Sequence, residues 1–241
     1  MNYEDIVRKQ IREWEKALLA PPGPLQKAAK AVSDKVNTFI PQKIHNAITS
    51  AVKGVVRTVL LGVEFTPKGP VSANLPLREM DRKGKQLLST YKKVAAAEGA
   101  GTGAGGIVLG VVDFPALIAI KMKFLFELAH IYGFNTRNSS ERLYILQVFQ
   151  LAFASHEVRA RLLAAIKQWD SSPTTTAWAD NPQTIDWEQL QREYRDAIDF
   201  RKMLQLVPGI GAVVGAWANY GLLEELGETA INCYRMRHLL S

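Results

Sequence analysis

The sequence predicts an all-α fold, a single helical domain with amphipathic N-terminal helices and two glycine-rich apolar helical hairpin segments. Three observations predict it. Apolar residues recur at spacings of three and four through most of the chain, no alternating apolar and polar run bounded by turns reads as a strand, and clusters of proline or glycine interrupt the pattern at helical lengths. With 241 residues, 47% of them hydrophobic and 22% charged, the chain can bury one sizeable core and has the balance of an ordinary globular domain.

Val7, Ile11, Trp14 and Leu18 form the first apolar stripe, with Glu4, Arg8, Lys9, Arg12, Glu13, Glu15 and Lys16 around it. This amphipathic helix ends at Pro21-Pro22-Gly23-Pro24, so residues 1–24 divide from a helical domain over 25–241. A second helical pattern runs through Ala28, Ala29, Val32, Val36, Phe39 and Ile40, pauses at Pro41, and resumes from Ile44 to Leu60. It carries Lys27, Lys30, Lys35, Lys43, Lys53 and Arg57 against Asp34, the pattern of a basic amphipathic helix that can lie on a membrane. Residues 64–80, with three prolines, and residues 170–184, with Pro173 and Pro182, read as internal loops. Asn138 with Glu141, and Asp186 with Gln189, have the spacing of capping pairs at helix starts.

Two segments carry most of the information. In residues 94–133, Gly99, Gly103, Gly106 and Gly110 recur at spacings of four, three and four, which places them along one side of a helix. Each interior glycine costs a helix about 1 kcal/mol relative to alanine, so the row implies an offsetting close approach of a second backbone. Asp113 before Phe114-Pro115 then reads as the cap of a new helix, which Gly133 ends. The second segment, 206–223, lacks charge and places Gly211 and Gly215 in small-xxx-small spacing. It approaches the length of a membrane span, but Pro208 and Asn219 favour a buried or re-entrant hairpin, and the mean hydropathy of the chain is −0.06.

Charge is distributed unevenly. Residues 25–93 hold thirteen Lys and Arg against four acids, whereas 94–241 hold thirteen against fifteen. A basic block of this kind implies an anionic partner, either a membrane surface or an acidic protein. Nucleic acid is disfavoured because no recognised module or basic-aromatic interleaving accompanies the charge. The acidic start of the chain does not resemble a secretory signal, and the single cysteine, Cys233, in a helical stretch reads as a packed thiol. A cytoplasmic location, including the inner face of the cell membrane, is the expectation.

Catalytic motifs are mostly rejected. Gly101-x-Gly103-x-x-Gly106 matches a dinucleotide fingerprint in letters, but the fingerprint needs a preceding strand and residues 85–97 read as helix, so no cofactor is expected. His156-Glu157 opens like a zinc-protease helix, yet the second histidine position is Ala160, and no metal is expected. His45, His130, His156 and His238 lie in separate helices. His130 follows Glu127 by three positions, and Glu127 follows Lys123 by four, which predicts an exposed, charge-paired face. Asp113 is a helix cap or, as a carboxylate in apolar surroundings, a functional-site candidate.

The stretch into Gly110-x-x-Asp113-Phe114-Pro115-Ala116-Leu117-Ile118, the following Ala129-x-x-Tyr132-Gly133-Phe134, the later Pro208-Gly209-Ile210-Gly211 with Asn219, and the terminal Tyr234-Arg235-x-Arg237-x-Leu239 together resemble the EcsC protein family. The resemblance covers roughly residues 25–240. It implies a bacterial, all-helical, rather hydrophobic protein whose family name comes from a gene cluster encoding an ABC transporter, and it implies no reaction. The leading expectation is a peripheral membrane protein that uses Lys27, Lys30, Lys35, Lys53 and Arg57 on anionic lipid, in transporter-linked or envelope physiology. The second is a soluble helical module that binds an acidic protein. The third is an enzyme whose site is assembled around Asp113, His130 and Tyr132, with Asn219 as a further candidate.

Overall fold

Helix α1 (Tyr3–Leu19) begins with a reciprocal cap: Asp5 donates its backbone amide to the Asn2 side chain at 2.9 Å, and the Asn2 amide donates to the Asp5 carboxylate at 3.0 Å. Its stripe turns inward as the spacing requires, with Val7 and Ile11 buried and Trp14 and Leu18 packed against the core. In the computed structural model, residues 2–21, 23, 50, 54, 56–59, 65–69, 71, 75–103, 106–171 and 212–240 are described. The remaining helices are α2 (Leu77–Gly103), α3 (Gly106–Ile131), α4 (Ser139–Phe153), α5 (His156–Lys167) and α6 (Ala212–Leu240), with a 3-10 turn over Trp169–Ser171. The protein is a single all-α domain, with no strand among the described residues.

Helix α2 runs antiparallel to two partners. Against α3, Asp81 meets Tyr132 and Tyr91 meets Phe124 and Glu127. Against α6, Asp81 meets Arg235 and Lys92 meets Glu224. Close approach between these helices depends on glycine at two places. A Cβ on Gly227 would lie 2.3 Å from Leu88 Cδ1 and 2.9 Å from its Cγ, and one on Gly84 would lie 3.1 Å from Leu128 Cδ1. Helix α6 touches α1 to α5 and is buried continuously from Ile231 to Arg237. Helix α4 is nearly as enclosed, which explains why its sequence lacks a clear polar face.

Several boundaries follow the sequence reading. Gly133 ends α3 with φ of 85°, where Phe134 N donates to Ala129 O at 2.9 Å and Gly133 N to His130 O at 3.2 Å. Cys233 is buried, and burial pushes its thiol pKa up, consistent with a packed side chain. Asn138 does precede α4, but its side chain makes no capping bond, and the reciprocal bond from Glu141 is also missing because that carboxylate is held by Arg237. The first turn of α2 starts at Leu77, inside the stretch expected to be loop.

Two expectations are corrected. The row Gly99, Gly103, Gly106 and Gly110 does not lie along one helix: the first two end α2 and the last two begin α3. Asp113 and Pro115 lie within α3, not at its start, because helix begins seven residues before Asp113 and absorbs the proline, which has no amide proton to give to the carbonyl of Val111. Of the second apolar segment, residues 212–223 form the first part of the uninterrupted helix α6, and residues 206–211 lie outside the described residues. Among the described residues no helix is long and apolar enough to cross a membrane.

Candidate functional site: a buried ionic core beneath a basic helix face

Asp81 organises the interior. It is 1% exposed, and its carboxylate accepts from Tyr3 Oη at 2.5 Å, Tyr132 Oη at 2.6 Å, and Arg235 Nε at 2.9 and 3.0 Å. Arg235 Nη2 lies 2.8 Å from the same carboxylate, and Nη1 donates to Asn232 at 3.2 Å. Burial raises the pKa of Tyr3 and of Tyr132, and the neighbouring Asp81 charge adds to both shifts. For Arg235 burial pulls the pKa down, but the bond to Asp81 and its charge outweigh this and the net shift is upward. The four groups fasten α1, α2, α3 and α6 at one point.

Arg237 makes a second junction, two residues along α6. It reaches Glu141 of α4 at 2.7 and 3.1 Å and Asp170 of the 3-10 turn at 2.5 and 2.9 Å. Its guanidinium lies 3.9 Å from the centre of the Phe134 ring and 4.4 Å from that of Tyr144, a placement suited to a planar cation. Nearby, His238 Nε2 contacts the Tyr132 carbonyl at 2.7 Å. Lys121 contrasts with these pairs: it is buried, its ammonium has no partner among the described residues, and desolvation lowers its pKa to about 8.

Above the Asp81 junction, α2 presents Arg78, Arg82, Lys85 and Lys93 on its exposed side. Their spacings of four, three and eight keep them on one face, extending about 22 Å at 1.5 Å per residue. Glu79 opposes them at one end, paired with Arg82 at 2.6 Å. A cleft of about 500 Å³ opens beside Tyr3, with Arg78, Arg82 and Lys85 in its walls and Asp81 in its lining.

The residues expected from sequence fare differently. His130 is 7% exposed and faces Thr136, with Nε2 3.0 Å from its Oγ1, while Glu127 accepts from Tyr91 at 2.8 Å. The expected exposed pair of His130 with Glu127 is therefore replaced by a buried imidazole, because α3 is enclosed on that side. Tyr132 is buried in the Asp81 network, and Arg57 is exposed. Asp113, Gly215 and Asn219 have described backbone only, and Gly99, Gly103, Gly106 and Gly110 likewise, while Lys27, Lys30, Lys35, Lys53 and Gly211 lie outside the described residues. The sequence singles out neither Asp81 nor Asp170 and offers Glu141 only as a capping partner of Asn138; the available signal was Arg235 and Arg237 inside an apolar helix, which demand buried acids.

No group of three His, Cys, Asp or Glu side chains among the described residues could hold a metal ion. The arrangement is thus that of a helical domain with charged junctions in its interior and a cationic outer face. The sequence model of the EcsC protein family matches residues 5–239, and the chain belongs to that family. It is 41% identical to Protein EcsC of Bacillus subtilis (strain 168) over 239 residues, covering 99% of this chain and 98% of that one. It is 31% identical to the Uncharacterized protein YdbA of the same organism over 165 residues, covering 68% of this chain and 60% of that one. No solved structure matches.

Proposed function

We propose that this EcsC-family protein binds peripherally to an anionic membrane surface, at the inner face of the cell membrane and in transporter-linked or envelope physiology. The observation that carries the reading is the outward face of α2, where Arg78, Arg82, Lys85 and Lys93 lie within the basic block of residues 25–93. Each basic residue close to an anionic bilayer contributes about 1 kcal/mol, so four of them can hold a protein there without a membrane span.

Flotation of the purified chain with vesicles tests this. Binding to phosphatidylglycerol-containing vesicles, little to phosphatidylcholine alone, and release by salt are expected, because screening shortens the attraction from about 10 Å at 0.1 M to about 3 Å at 1 M. Arg78→Gln, Arg82→Gln, Lys85→Gln and Lys93→Gln together should weaken binding by about a thousandfold, the equivalent of about 4 kcal/mol. Equal, salt-resistant binding to both vesicles would transfer the role to the apolar segments. Absence of binding to either would reject the membrane reading in favour of an acidic protein partner.

A further inference from the structure

A second cationic feature lies apart from the α2 face. A cavity of about 200 Å³ opens between the segment ahead of α2 and the turn from α3 to α4, lined by Lys68, Gly69, Val71, His130, Asn135 and Arg137. None of these is acidic. Lys68 and Arg137 are exposed at its mouth, whereas His130 is buried in its wall.

The histidine is held in a defined way. With Thr136 Oγ1 donating to Thr66 at 3.2 Å, the matching tautomer of His130 donates from Nε2 across its 3.0 Å contact with Thr136. The neutral ring then carries its lone pair on Nδ1, which is buried and has no partner among the described residues. Burial and the charge of Arg137 both lower the His130 pKa, so the ring and the guanidinium sense each other in the absence of an anion. From α4, Arg142 donates to the carbonyls of Thr136 at 3.2 Å and Arg137 at 2.7 Å and fixes the turn. From α6, His238 is bonded to the Tyr132 carbonyl.

The geometry points to an oxyanion site in which Lys68, Arg137 and protonated His130 hold a phosphate or a phosphate monoester. Two cations and an imidazole, with no carboxylate among the described lining residues, suit a dianion, and a guanidinium fork matches two of its oxygens. The anion relieves the repulsion between Arg137 and His130, so binding and protonation of the ring assist each other. For the dianion itself, affinity therefore rises as the His130 ring becomes protonated. The ligand can be free phosphate or a lipid headgroup, and the site does not include Arg78, Arg82, Lys85 or Lys93.

The test follows the His130 imidazole by NMR in the full chain while sodium phosphate replaces chloride at constant ionic strength. Saturating phosphate should raise the His130 pKa by about one unit, equivalent to tenfold tighter binding to the protonated ring. Lys68→Gln and Arg137→Gln, both at exposed positions, should each weaken binding about tenfold while leaving thermal unfolding without phosphate unchanged. A parallel flotation compares vesicles containing phosphatidic acid with phosphatidylglycerol vesicles of equal surface charge, and the response is the difference between them. A response to phosphate in either form, lost in the Lys68→Gln/Arg137→Gln double variant, supports the site, and the arm that responds identifies the source. No response in either arm, or one that survives the double variant, overturns it. The α2 glutamine variants should keep the phosphate response even if they lose vesicle binding, which separates this site from the membrane reading.

Discussion

Replacing Asp81 by asparagine keeps the shape of the side chain and removes its charge, leaving Arg235 buried with its counter-charge gone. The asparagine oxygen can still accept from Tyr132 or Tyr3, but its amide would present donors toward a guanidinium that has only donors itself. Removing one member of a buried ion pair costs about 3–5 kcal/mol, a large part of the 5–15 kcal/mol that typically stabilises a domain. For a chain of this length about 2–4 °C is lost per kcal/mol, so the melting temperature should fall by roughly 6–20 °C. Urea unfolding of Asp81→Asn, Arg235→Met and the double variant measures the coupling. The double variant should lose several kcal/mol less than the sum of the two single changes, because Arg235→Met removes the charge that Asp81→Asn strands. If Asp81→Asn costs under about 1 kcal/mol, or the two losses simply add, the junction is not the energetic unit described, by the logic of double-mutant cycles.

Gly227→Ala should destabilise despite the better helix propensity of alanine: the gain of about 1 kcal/mol is offset by overpacking against Leu88 at about 1–3 kcal/mol. The same change at Gly221, where a Cβ meets nothing within 4 Å, should be neutral or stabilising; urea midpoints that fail to separate the two would refute the close approach. Lys121 has a folded pKa of about 8, below its ordinary 10.5, so its burial penalty is full below pH 8 and relieved as pH rises towards 10.5. Stability should rise across that window by about 3 kcal/mol, and Lys121→Met should abolish this contribution and stabilise the protein at pH 7 by a similar order, as titration linkage requires. Denaturant unfolding at several pH values checks both, and a wild-type curve parallel to that of Lys121→Met would contradict the assignment.

Legibility in the sequence followed the range of the interactions. The stripe of α1 and the end of α3 at Gly133 are local features, and both are formed as spacing and glycine chemistry dictate. Asp113-Phe114-Pro115 misled because a proline that can start a helix can also lie within one, at the loss of one backbone hydrogen bond. The packing glycines illustrate the same limit. A spaced row drew attention to Gly99–Gly110, but the close approaches found among the described residues fall at Gly84 and Gly227, single glycines whose partners Leu128 and Leu88 lie on other helices. His130 was read through its helical neighbours Glu127 and Lys123, but its contact is Thr136 beyond the helix end. Asp81 gave no local sign at all, since its arginine lies 154 positions away.

The two arginines of α6 explain why so apolar a helix carries charge at its most enclosed turn. Burying an ion pair contributes little net stability compared with well-packed apolar side chains of the same volume, so stability alone does not account for Arg235 and Arg237. Their partners come from separate elements: Asp81 on α2, Glu141 on α4 and Asp170 in the 3-10 turn. An apolar α6 surrounded by apolar helices could rotate or slide with small changes in buried area, but a one-turn slip would separate both guanidinia from all three carboxylates. That penalty singles out one rotation and one axial position for α6. It also fixes α2, because Asp81 can reach Arg235, Tyr132 and Tyr3 together only when its side chain points inward. Met80, Asp81, Gly84, Leu88 and Ala95 then share the buried side of the helix, and Arg78, Arg82, Lys85 and Lys93, centred roughly 120° away at about 100° per residue, fall on the exposed side. The interior charges thereby determine where the exterior ones are displayed, and the surface proposed to meet an anionic membrane is a consequence of the register of the core.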